Sequence, residues 1–402
     1  MKVAIIGGGA AGFFSAIQVA ECYPNAHVAI FEKTSQLLSK VKISGGGRCN
    51  LSHVTETIKE LAKAYPRGEN QLKKVFGVFG NKEAIHWFEE RGVPVVVQDD
   101  ACVFPQSQNS QSVIDCLVGQ AEMKAVVVKR KSKVTQIKPI DDAIELLFDS
   151  GNSLVFDKVI VTTGGSPKRM GLNWLEMLGH RIVSPVPSLF TFNMPSENTE
   201  KVMGIVVDHV VLSIQGTKLK SEGALLLTHW GMSGPAVLKL SSFGARILAE
   251  KQYNFKIQIN WINQSNHDAI RQVLQKFVVQ YPKKSLNKQN PFGLPTRLWE
   301  FLLNKHNISL DKKWNELGKK GLNKLIELLT NDIYQATGKT GFKEEFVTAG
   351  GVCVQDVDFK TMQSKLVKGL YFAGEVLDID GITGGYNLQA AWSTAFIAGK
   401  LM

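Results

Sequence analysis

Cysteine is scarce in this chain of 402 residues and does not occur in the spacings of metal or disulfide sites. The five cysteines, Cys22, Cys49, Cys102, Cys116 and Cys353, form no Cys-x-x-Cys pair and accompany no histidine cluster. A disulfide framework and a zinc site both depend on such spacings. We therefore expect free thiols, no bound metal and a cytoplasmic location.

Long apolar runs are also missing. No uninterrupted apolar stretch reaches the roughly 18 residues of a membrane-spanning helix. The first 20 residues are largely apolar, but glycines at positions 7, 8, 9 and 12 interrupt the continuous helical core that a secretory signal needs. A strand followed by a turn explains this segment better.

Acidic residues are fewer than basic ones, at 36 Asp and Glu against 47 Lys and Arg, which gives a formal charge of +11. This surplus suits an anionic partner such as a nucleotide, RNA or an acidic surface, although a solvated basic surface gives the same composition. Hydrophobic residues make up 44% and charged residues 21%. This is ordinary globular usage and indicates neither a disordered nor a fibrous chain.

The N-terminal residues change from strand-like to helical spacing and back. Lys2–Ile6 is a short apolar run, Ala10–Ala20 has helical spacing, and His27–Phe31 is apolar again. This order predicts a strand, a helix and a second strand. Alternating runs between residues 125 and 156 then predict a meander of three or four strands, which leads into a buried strand at Asp157–Thr163.

The middle of the chain has a different composition. Residues 188–265 contain strand-like runs, clearest at Ile205–Ile214 and Phe255–Ile259, and suit a small β-barrel. Residues 266–345 have helical spacing and Lys-rich loops. The candidate helices there are His267–Gln280, Pro295–Asn304 and Leu322–Thr337.

The glycine-rich, apolar character of the N-terminus returns at Phe346, and a last helix is predicted at about Asn387–Leu401. We therefore expect an α/β fold with a three-layer, Rossmann-like domain made of residues 1–187 and 346–402. An insert with a β-barrel-like part, residues 188–265, and a helical part, residues 266–345, interrupts this domain.

The most specific short pattern is Gly7-x-Gly9-x-x-Gly12, which follows one predicted strand and opens the predicted helix. Gly7 permits a tight turn, Gly9 lets the backbone approach a pyrophosphate, and Gly12 allows close packing of helix and strand. The helix N-terminus adds unpaired N–H groups and partial positive charge. Glu32 lies 20 residues beyond Gly12, where its carboxylate can accept ribose hydroxyl hydrogens. The spacing predicts a dinucleotide site for FAD or NAD.

Three further glycine turns follow in the order expected for a flavin site. Thr162–Gly165 ends the buried strand, and Ala373–Glu375 ends a strand at Leu370–Phe372, so that a second carboxylate lies within reach of a ribityl hydroxyl. Gly384–Gln389 opens the last helix. The positive end of this helix can face the flavin N1 and C2 carbonyl, where reduced flavin acquires negative charge.

The loop Ser44–Asn50 is a second glycine-rich segment near the N-terminus. Its N–H groups and Arg48 can surround phosphate oxygens, and Asn50 can hydrogen-bond an isoalloxazine edge. We expect Cys49 to be a buried, unreactive thiol, because backbone contact requires no reactive sulfur. Cys353, after a Gly-Gly turn, is expected to be a buried thiol as well.

Stretches over nearly the whole length resemble the BaiN/YhiN family of bacterial flavoproteins, NAD(P)/FAD-dependent and aminoacetone oxidase-like oxidoreductases whose FAD domain is related to the glutathione reductase group. SGGGRCN and GGYNLQ are the most specific of them. The stretches that carry the resemblance are Val3–Gly12, Lys40, Ser44–Leu51, Thr228–Ala236, Ala349–Val352, Ala373–Asp378 and Gly384–Gln389. The resemblance implies FAD, a barrel and a helical insert, reaction at carbon centres, and a link to dihydrouridine formation in ribosomal RNA.

The expected FAD site draws on four parts of the chain, and no catalytic acid or base can be assigned. Its residues are Gly7, Gly9, Ala11, Gly12, Glu32 and Lys33; Lys40, Gly45, Gly46, Gly47, Arg48, Cys49 and Asn50; Val134, Thr163 and Gly164; and Gly374, Glu375, Gly385, Tyr386, Asn387 and Leu388.

Three functions are compatible with these residues. The first is an FAD-dependent oxidoreductase that transfers hydride at flavin N5 to or from a carbon centre of a small molecule; NAD(P)H would dock transiently, because no second Gly-x-Gly-x-x-Gly with a following acid occurs. The second is a flavin-dependent enzyme that forms dihydrouridine in ribosomal RNA, which the lysine pairs at 283–284, 312–313 and 319–320 would suit. The third is a non-catalytic flavin-binding scaffold or sensor.

Overall fold

The computed structural model describes residues 1–340 and 347–402, and these residues form two compact units. The first unit contains the residues up to Ser188 and those from Val347 onward, and the second runs from Leu189 to Thr340. The predicted domain boundary at residues 345 and 346 lies outside the described residues. Strands and helices of the second unit share one hydrophobic core, so its division into two domains stays a prediction.

In the described part of the first unit, seven strands form the central sheet. In spatial order they are Val357–Asp358, Gln363–Ser364, Leu370–Phe372, Lys158–Val161, Lys2–Ile6, His27–Phe31 and Val127–Lys129. The last five of these are parallel to one another. Ile6 pairs with both Val161 and Phe31, and Val161 pairs with Phe372. These pairs place the carboxyl ends of four strands at one edge of the sheet. The loops after these strands leave the sheet at this edge, where α/β proteins bind their ligands.

Two buried helices pack together in the first unit, Ala10–Cys22 and Tyr386–Ala398. Every residue from Ala11 to Val19 is buried, and only Ser15 and Gln18 among them are polar, which is typical of a helix covered on all sides. The rings of Phe14 and Trp392 lie 5.6 Å apart between the two helices. The first and last parts of the chain thus share one core.

An antiparallel meander forms the third layer, with the strands Val134–Ile140, Ala143–Phe148 and Ser153–Phe156. The ring of Phe148 lies 5.0 Å from that of Phe31 in the parallel sheet. The layers are therefore helices, parallel sheet and meander, which confirms the expected Rossmann-like α/β fold. The run at Ala125–Val128 was expected to belong to the meander, but Val127–Lys129 pairs in parallel with His27–Phe31.

Shorter elements complete the first unit. The remaining helices are Ser39–Ile43, Ile58–Lys63, Glu69–Phe76, Asn81–Glu89, Ser110–Met123 and Asn173–Glu176, with 3-10 turns at Arg169–Leu172, Val354–Asp356 and Gly374–Val376. The remaining strands are Ser52–His53, Val95–Val97 and Cys102–Pro105 in one small sheet, and Ile182–Ser188 paired with Val347–Val352. None of the helices in the described residues has the length and apolar character needed to cross a membrane.

Within residues 189–340, seven antiparallel strands form the sheet of the second unit. In spatial order they are Asp332–Thr337, Asn254–Asn260, Val206–Ile214, Lys220–Thr228, Gly231–Ser233, Thr191–Asn193 and Lys339–Thr340. The first and last of these are consecutive in the chain and joined by Gly338, whose carbonyl accepts a hydrogen bond from Asn193 N at 3.2 Å. The sheet therefore curls back on itself, and two of its strands lie at residues 332–340, outside the barrel-like part expected at residues 188–265.

The helices of the second unit include the one predicted at His267–Gln280, with the same bounds. The others are Pro235–Phe243, Ala245–Glu250, Thr296–Lys305 and Gly318–Thr330, with 3-10 turns at Thr199–Val202, Leu286–Lys288 and Trp314–Glu316. The helix expected to extend to Thr337 instead ends at Thr330. Asp332–Thr337 is a strand in which buried and exposed residues alternate, the period of a strand in a sheet with one covered face.

Candidate functional site

The candidate site lies at the carboxyl edge of the parallel sheet, where segments from both ends of the chain meet. A methyl group at Gly374 would lie 3.0 Å from the Cβ of Ala11, at the start of the first helix. The N–H of Gly374 donates to Thr394 Oγ1 at 2.9 Å, which fixes the turn after Leu370–Phe372 to the last helix. The structure thus brings together two of the predicted glycine segments, which lie more than 350 positions apart in the sequence.

The three glycines of the first motif have different surroundings. Gly7 has a φ of +115°, and a methyl group there would lie 2.6 Å from the carbonyl oxygen of Thr162. A methyl group on Gly12 would collide with the carbonyl oxygen of Gly7. In contrast, a methyl group on Gly9 would meet no protein atom within 4 Å. Gly7 and Gly12 are therefore required by the fold itself, whereas Gly9 is open toward the space in front of the helix.

Glu32 is held in place beside this turn. One carboxylate oxygen accepts from the N–H of Gly8 at 2.8 Å, and the other accepts from the N–H and Oγ1 of Thr34 at 2.8 and 2.9 Å. These three bonds orient the carboxylate at the end of its strand. An ionised carboxylate offers about four acceptor sites, two on each oxygen, so the oxygen that accepts from Gly8 retains acceptor capacity for a ribose hydroxyl.

A cleft of about 580 Å³ opens beside Glu32. Five residues of the expected site line it: Gly7, Glu32, Lys33, Val134 and Thr163. Its volume lies in the usual range of small-molecule pockets. Other residues that line the cleft were not predicted, because no motif marks them: Ser132, Lys133, Thr135, Met170, Asn173, Trp174 and Met177.

Glu375 follows the strand Leu370–Phe372 and forms an ion pair with Lys40. Lys40 Nζ lies 2.6 Å from its Oε2, and the N–H of Thr348 donates to its Oε1 at 2.9 Å. A methyl group on Gly165 would collide with this carboxylate. Lys40 and Glu375, 335 positions apart, were predicted separately, whereas the roles of Gly165 and Thr348 were not anticipated. Gly164 lies beside them with its Cβ direction open.

The loop Ser44–Asn50 contains three successive glycines in the left-handed region, with φ of 58°, 69° and 84° at Gly45, Gly46 and Gly47. A run of N–H groups in such a turn can form an anion-binding concavity. Arg48 stacks over Phe104 at 4.1 Å and donates to Gln108 at 3.2 Å. Burial raises the pKa of the Cys49 thiol to about 12, so this thiol stays protonated, as expected for an unreactive cysteine.

Asn50 joins this loop to the start of the last helix. With its side-chain nitrogen donating to Ser52 O at 2.9 Å, its oxygen accepts from the N–H of Gly385 at 3.3 Å. The hydroxyl of Ser52 donates to Gln389 at 2.6 Å, and Trp392 Nε1 donates to Leu51 O at 3.0 Å. The two most specific stretches of the sequence are therefore neighbours in the structure.

Asn387 does not point its amide away from the protein. Its side chain accepts from Gly381 N at 2.8 Å and donates to Gly381 O at 3.0 Å, which closes the loop ahead of the helix. Tyr386 stacks on His53, with ring centroids 4.6 Å apart. Leu388 packs against the core of the first unit. A ligand at this helix start would consequently meet backbone N–H groups rather than the Asn387 amide.

These residues fit FAD. The cleft with Glu32 matches an adenosine, and the space in front of Gly9, where even a methyl group meets no atom, leaves room for a pyrophosphate at a helix N-terminus. The N–H groups at the start of Tyr386–Ala398, which have no partner within the helix and no capping side chain, provide polar contacts for a flavin ring, whereas the Asn50 amide is bonded to Ser52 and Gly385. All of these groups belong to the first unit.

Comparisons with known proteins give the same assignment over the whole chain. The chain is 26% identical to a 3-dehydro-bile acid delta(4,6)-reductase of Clostridium scindens, covering 99% of this chain and 98% of the relative. It is 29% identical to a ribosomal RNA dihydrouridine synthase of Escherichia coli, covering 98% and 95%. A solved 3-ketosteroid-delta4-(5alpha)-dehydrogenase of Rhodococcus jostii has a similar fold, with a TM-score of 0.51, 15% identity, and coverage of 99% and 95%.

A match to one protein family covers nearly the whole chain. Residues 1–401 match the HI0933-like protein Rossmann domain, which spans both units and every predicted motif. The chain therefore belongs to the HI0933-like family, a family of FAD-dependent oxidoreductases.

Proposed function

We propose that this protein reduces an unsaturated carbon centre of its substrate by hydride transfer from FAD at N5, with NAD(P)H as a transient reductant. The observation that carries the proposal is the meeting of the two chain ends at one sheet edge, with a nucleotide-type cleft on one side and a helix N-terminus on the other. The names of the reductase and synthase relatives both describe products with added hydrogen.

Residues of the first unit would hold the cofactor along its length. Glu32, Val134 and Thr163 would contact the adenosine part, and the start of the helix Ala10–Cys22 would face the pyrophosphate. When bound, FAD supplies hydride transfer at N5. Lys40 would lie near the phosphates, and because it is paired with Glu375 the two side chains together add no net charge there.

The chain itself stabilises charge at the flavin end. The N–H groups in the first turn of a helix have no partner within that helix. At the start of Tyr386–Ala398 no capping side chain accepts from them either. These groups and the helix dipole favour negative charge at the N-terminus. Aimed at the N1 side of the flavin, they would favour the reduced, anionic form that delivers hydride.

A second candidate function is the reduction of uracil in ribosomal RNA, and the distribution of charge favours it. Residues 189–340 contain 20 Lys and Arg but 11 Asp and Glu, so the second unit carries +9 of the total charge of +11. Phosphate contacts by lysines supply most of the non-specific affinity for nucleic acid. The basic charge is thus concentrated in the unit that lacks the cofactor residues. The cytoplasmic location expected from the sequence stays a prediction.

One experiment tests both candidates. The purified protein is mixed anaerobically with NADH or NADPH, and the flavin absorbance is followed with and without ribosomal RNA. Bleaching by a nicotinamide, followed by reoxidation on addition of an unsaturated small molecule, supports the first candidate. Reoxidation that occurs only with RNA, together with dihydrouridine in the digested RNA, supports the second. A flavin that no reductant bleaches would contradict both.

A further inference from the structure

Residues 64 and 65, which lie more than 300 positions earlier in the sequence, form hydrogen bonds to the start of the last helix and to the loop before it. The hydroxyl of Tyr65 is buried and donates to the carbonyl oxygen of Tyr386, the first residue of the helix, at 2.6 Å. The N–H of Ile382 donates to the carbonyl oxygen of Ala64 at 2.9 Å. These two bonds fix the loop and the helix start at separate points.

An ion pair provides a third point of attachment. Arg67 contacts both carboxylate oxygens of Asp380, with Nε 2.5 Å from Oδ1 and Nη2 on Oδ2. The Asp380 side chain is fully buried, and Ser188 Oγ also donates to it at 2.7 Å. Burial raises the pKa of Asp380, while Arg67 and Ser188 act in the opposite direction. A two-pronged guanidinium pair fixes geometry more strictly than a single contact.

The packing around these bonds leaves little room for movement. A methyl group on Gly68 would collide with the side chain of Ile379. One on Gly381 would lie 3.1 Å from the Tyr65 ring and 2.8 Å from Tyr386 Cβ. Tightly packed, fully bonded neighbours of this kind hold one arrangement of the backbone. We call Ala64, Tyr65, Arg67 and Gly68 the Tyr65 clamp.

We propose that the Tyr65 clamp is a positioning device that holds the N-terminus of Tyr386–Ala398 at the flavin and thereby sets the flavin reduction potential. The inference rests on the proposed function, because it needs FAD at this helix start. Fixed donors stabilise charge best when no rearrangement is needed as the charge develops. Tyr65 and Arg67 would act through the backbone of residues 380–386, without touching the flavin.

The variant Tyr65→Phe tests the clamp, because it removes only the hydroxyl that donates to Tyr386. The matched control is Tyr23→Phe, which removes a 2.7 Å bond from a tyrosine hydroxyl to Lys400 O just beyond the other end of the same helix. We expect Tyr65→Phe to bind flavin with a more negative midpoint potential, equivalent to about a fivefold weaker preference for the reduced form. Tyr23→Phe should keep the wild-type potential.

Arg67→Lys is the second variant and keeps the charge while losing the two-pronged contact. It should shift the potential in the same direction. Wild-type potentials in both clamp variants, with only a lower melting temperature, would overturn the inference while leaving the proposed function intact. A wild-type protein that takes up no flavin on reconstitution would instead overturn the proposed function, and the inference with it.

Discussion

We expect the substitution Gly9→Ala to weaken cofactor binding without weakening the folded protein. Gly9 has extended backbone angles that alanine adopts without strain, φ −96° and ψ −165°, and its added methyl would meet no protein atom within 4 Å. In the apo protein, Gly9→Ala should therefore change the free energy of unfolding by less than about 1 kcal/mol. In the holo protein the same methyl would occupy space that the pyrophosphate needs.

The expected loss of affinity follows from overpacking. An extra methyl in a filled contact typically costs about 1–3 kcal/mol, so Gly9→Ala should weaken FAD binding about 5- to 150-fold. Gly12→Ala offers the contrast, because its methyl would collide with the Gly7 carbonyl. It should lower apo stability by about 1–3 kcal/mol as well as FAD affinity.

Flavin fluorescence titration of the apo protein measures the affinity, and urea unfolding without flavin measures the stability. Gly119→Ala is the matched control: it lies in the helix Ser110–Met123 with no atom within 4 Å of the added methyl. It should raise stability by about 0.5–1 kcal/mol and leave FAD binding unchanged. Wild-type FAD affinity in Gly9→Ala would show that the pyrophosphate does not lie against this turn.

Three further outcomes follow from single features. Glu32→Gln removes the charge from the proposed ribose contact and should weaken FAD binding by about 1.5–3 kcal/mol in the same titration; an unchanged affinity would place the ribose elsewhere. Cys49, buried with a raised thiol pKa, should resist alkylation of the native protein at pH 8 while the exposed Cys22 reacts, as mass spectrometry of digests would reveal. If RNA is the substrate, replacing the exposed Lys319 and Lys320 by alanine should reduce the salt dependence of RNA binding by about 0.7 in log–log slope for each lost phosphate contact. A slope equal to that of the wild type would exclude these lysines from the interface.

Local patterns predicted the elements whose cause is local. The strands Lys2–Ile6 and His27–Phe31 and the helix His267–Gln280 have the bounds that their apolar spacing indicated. The predictions were wrong where pairing with a distant strand decides the secondary structure of a segment. Val127–Lys129 resembled a meander strand but completes the parallel sheet, and Asp332–Thr337 extended a helical pattern but pairs with Asn254–Asn260. Strand pairing depends on residues far away in the sequence, so a short stretch of sequence does not predict it.

The sequence by itself determined the geometry of the first turn, because Gly7, Gly9, Gly12 and Glu32 belong to one strand–helix–strand unit. Only the tertiary structure decided which distant loops meet there. Asn50 reaches Gly385, and Tyr65 reaches Tyr386, across more than 300 residues. These contacts depend on the strand order of the central sheet and on the packing of the last helix against the first. Neither follows from spacing along the chain, since both are set by the burial of surfaces that lie far apart in sequence.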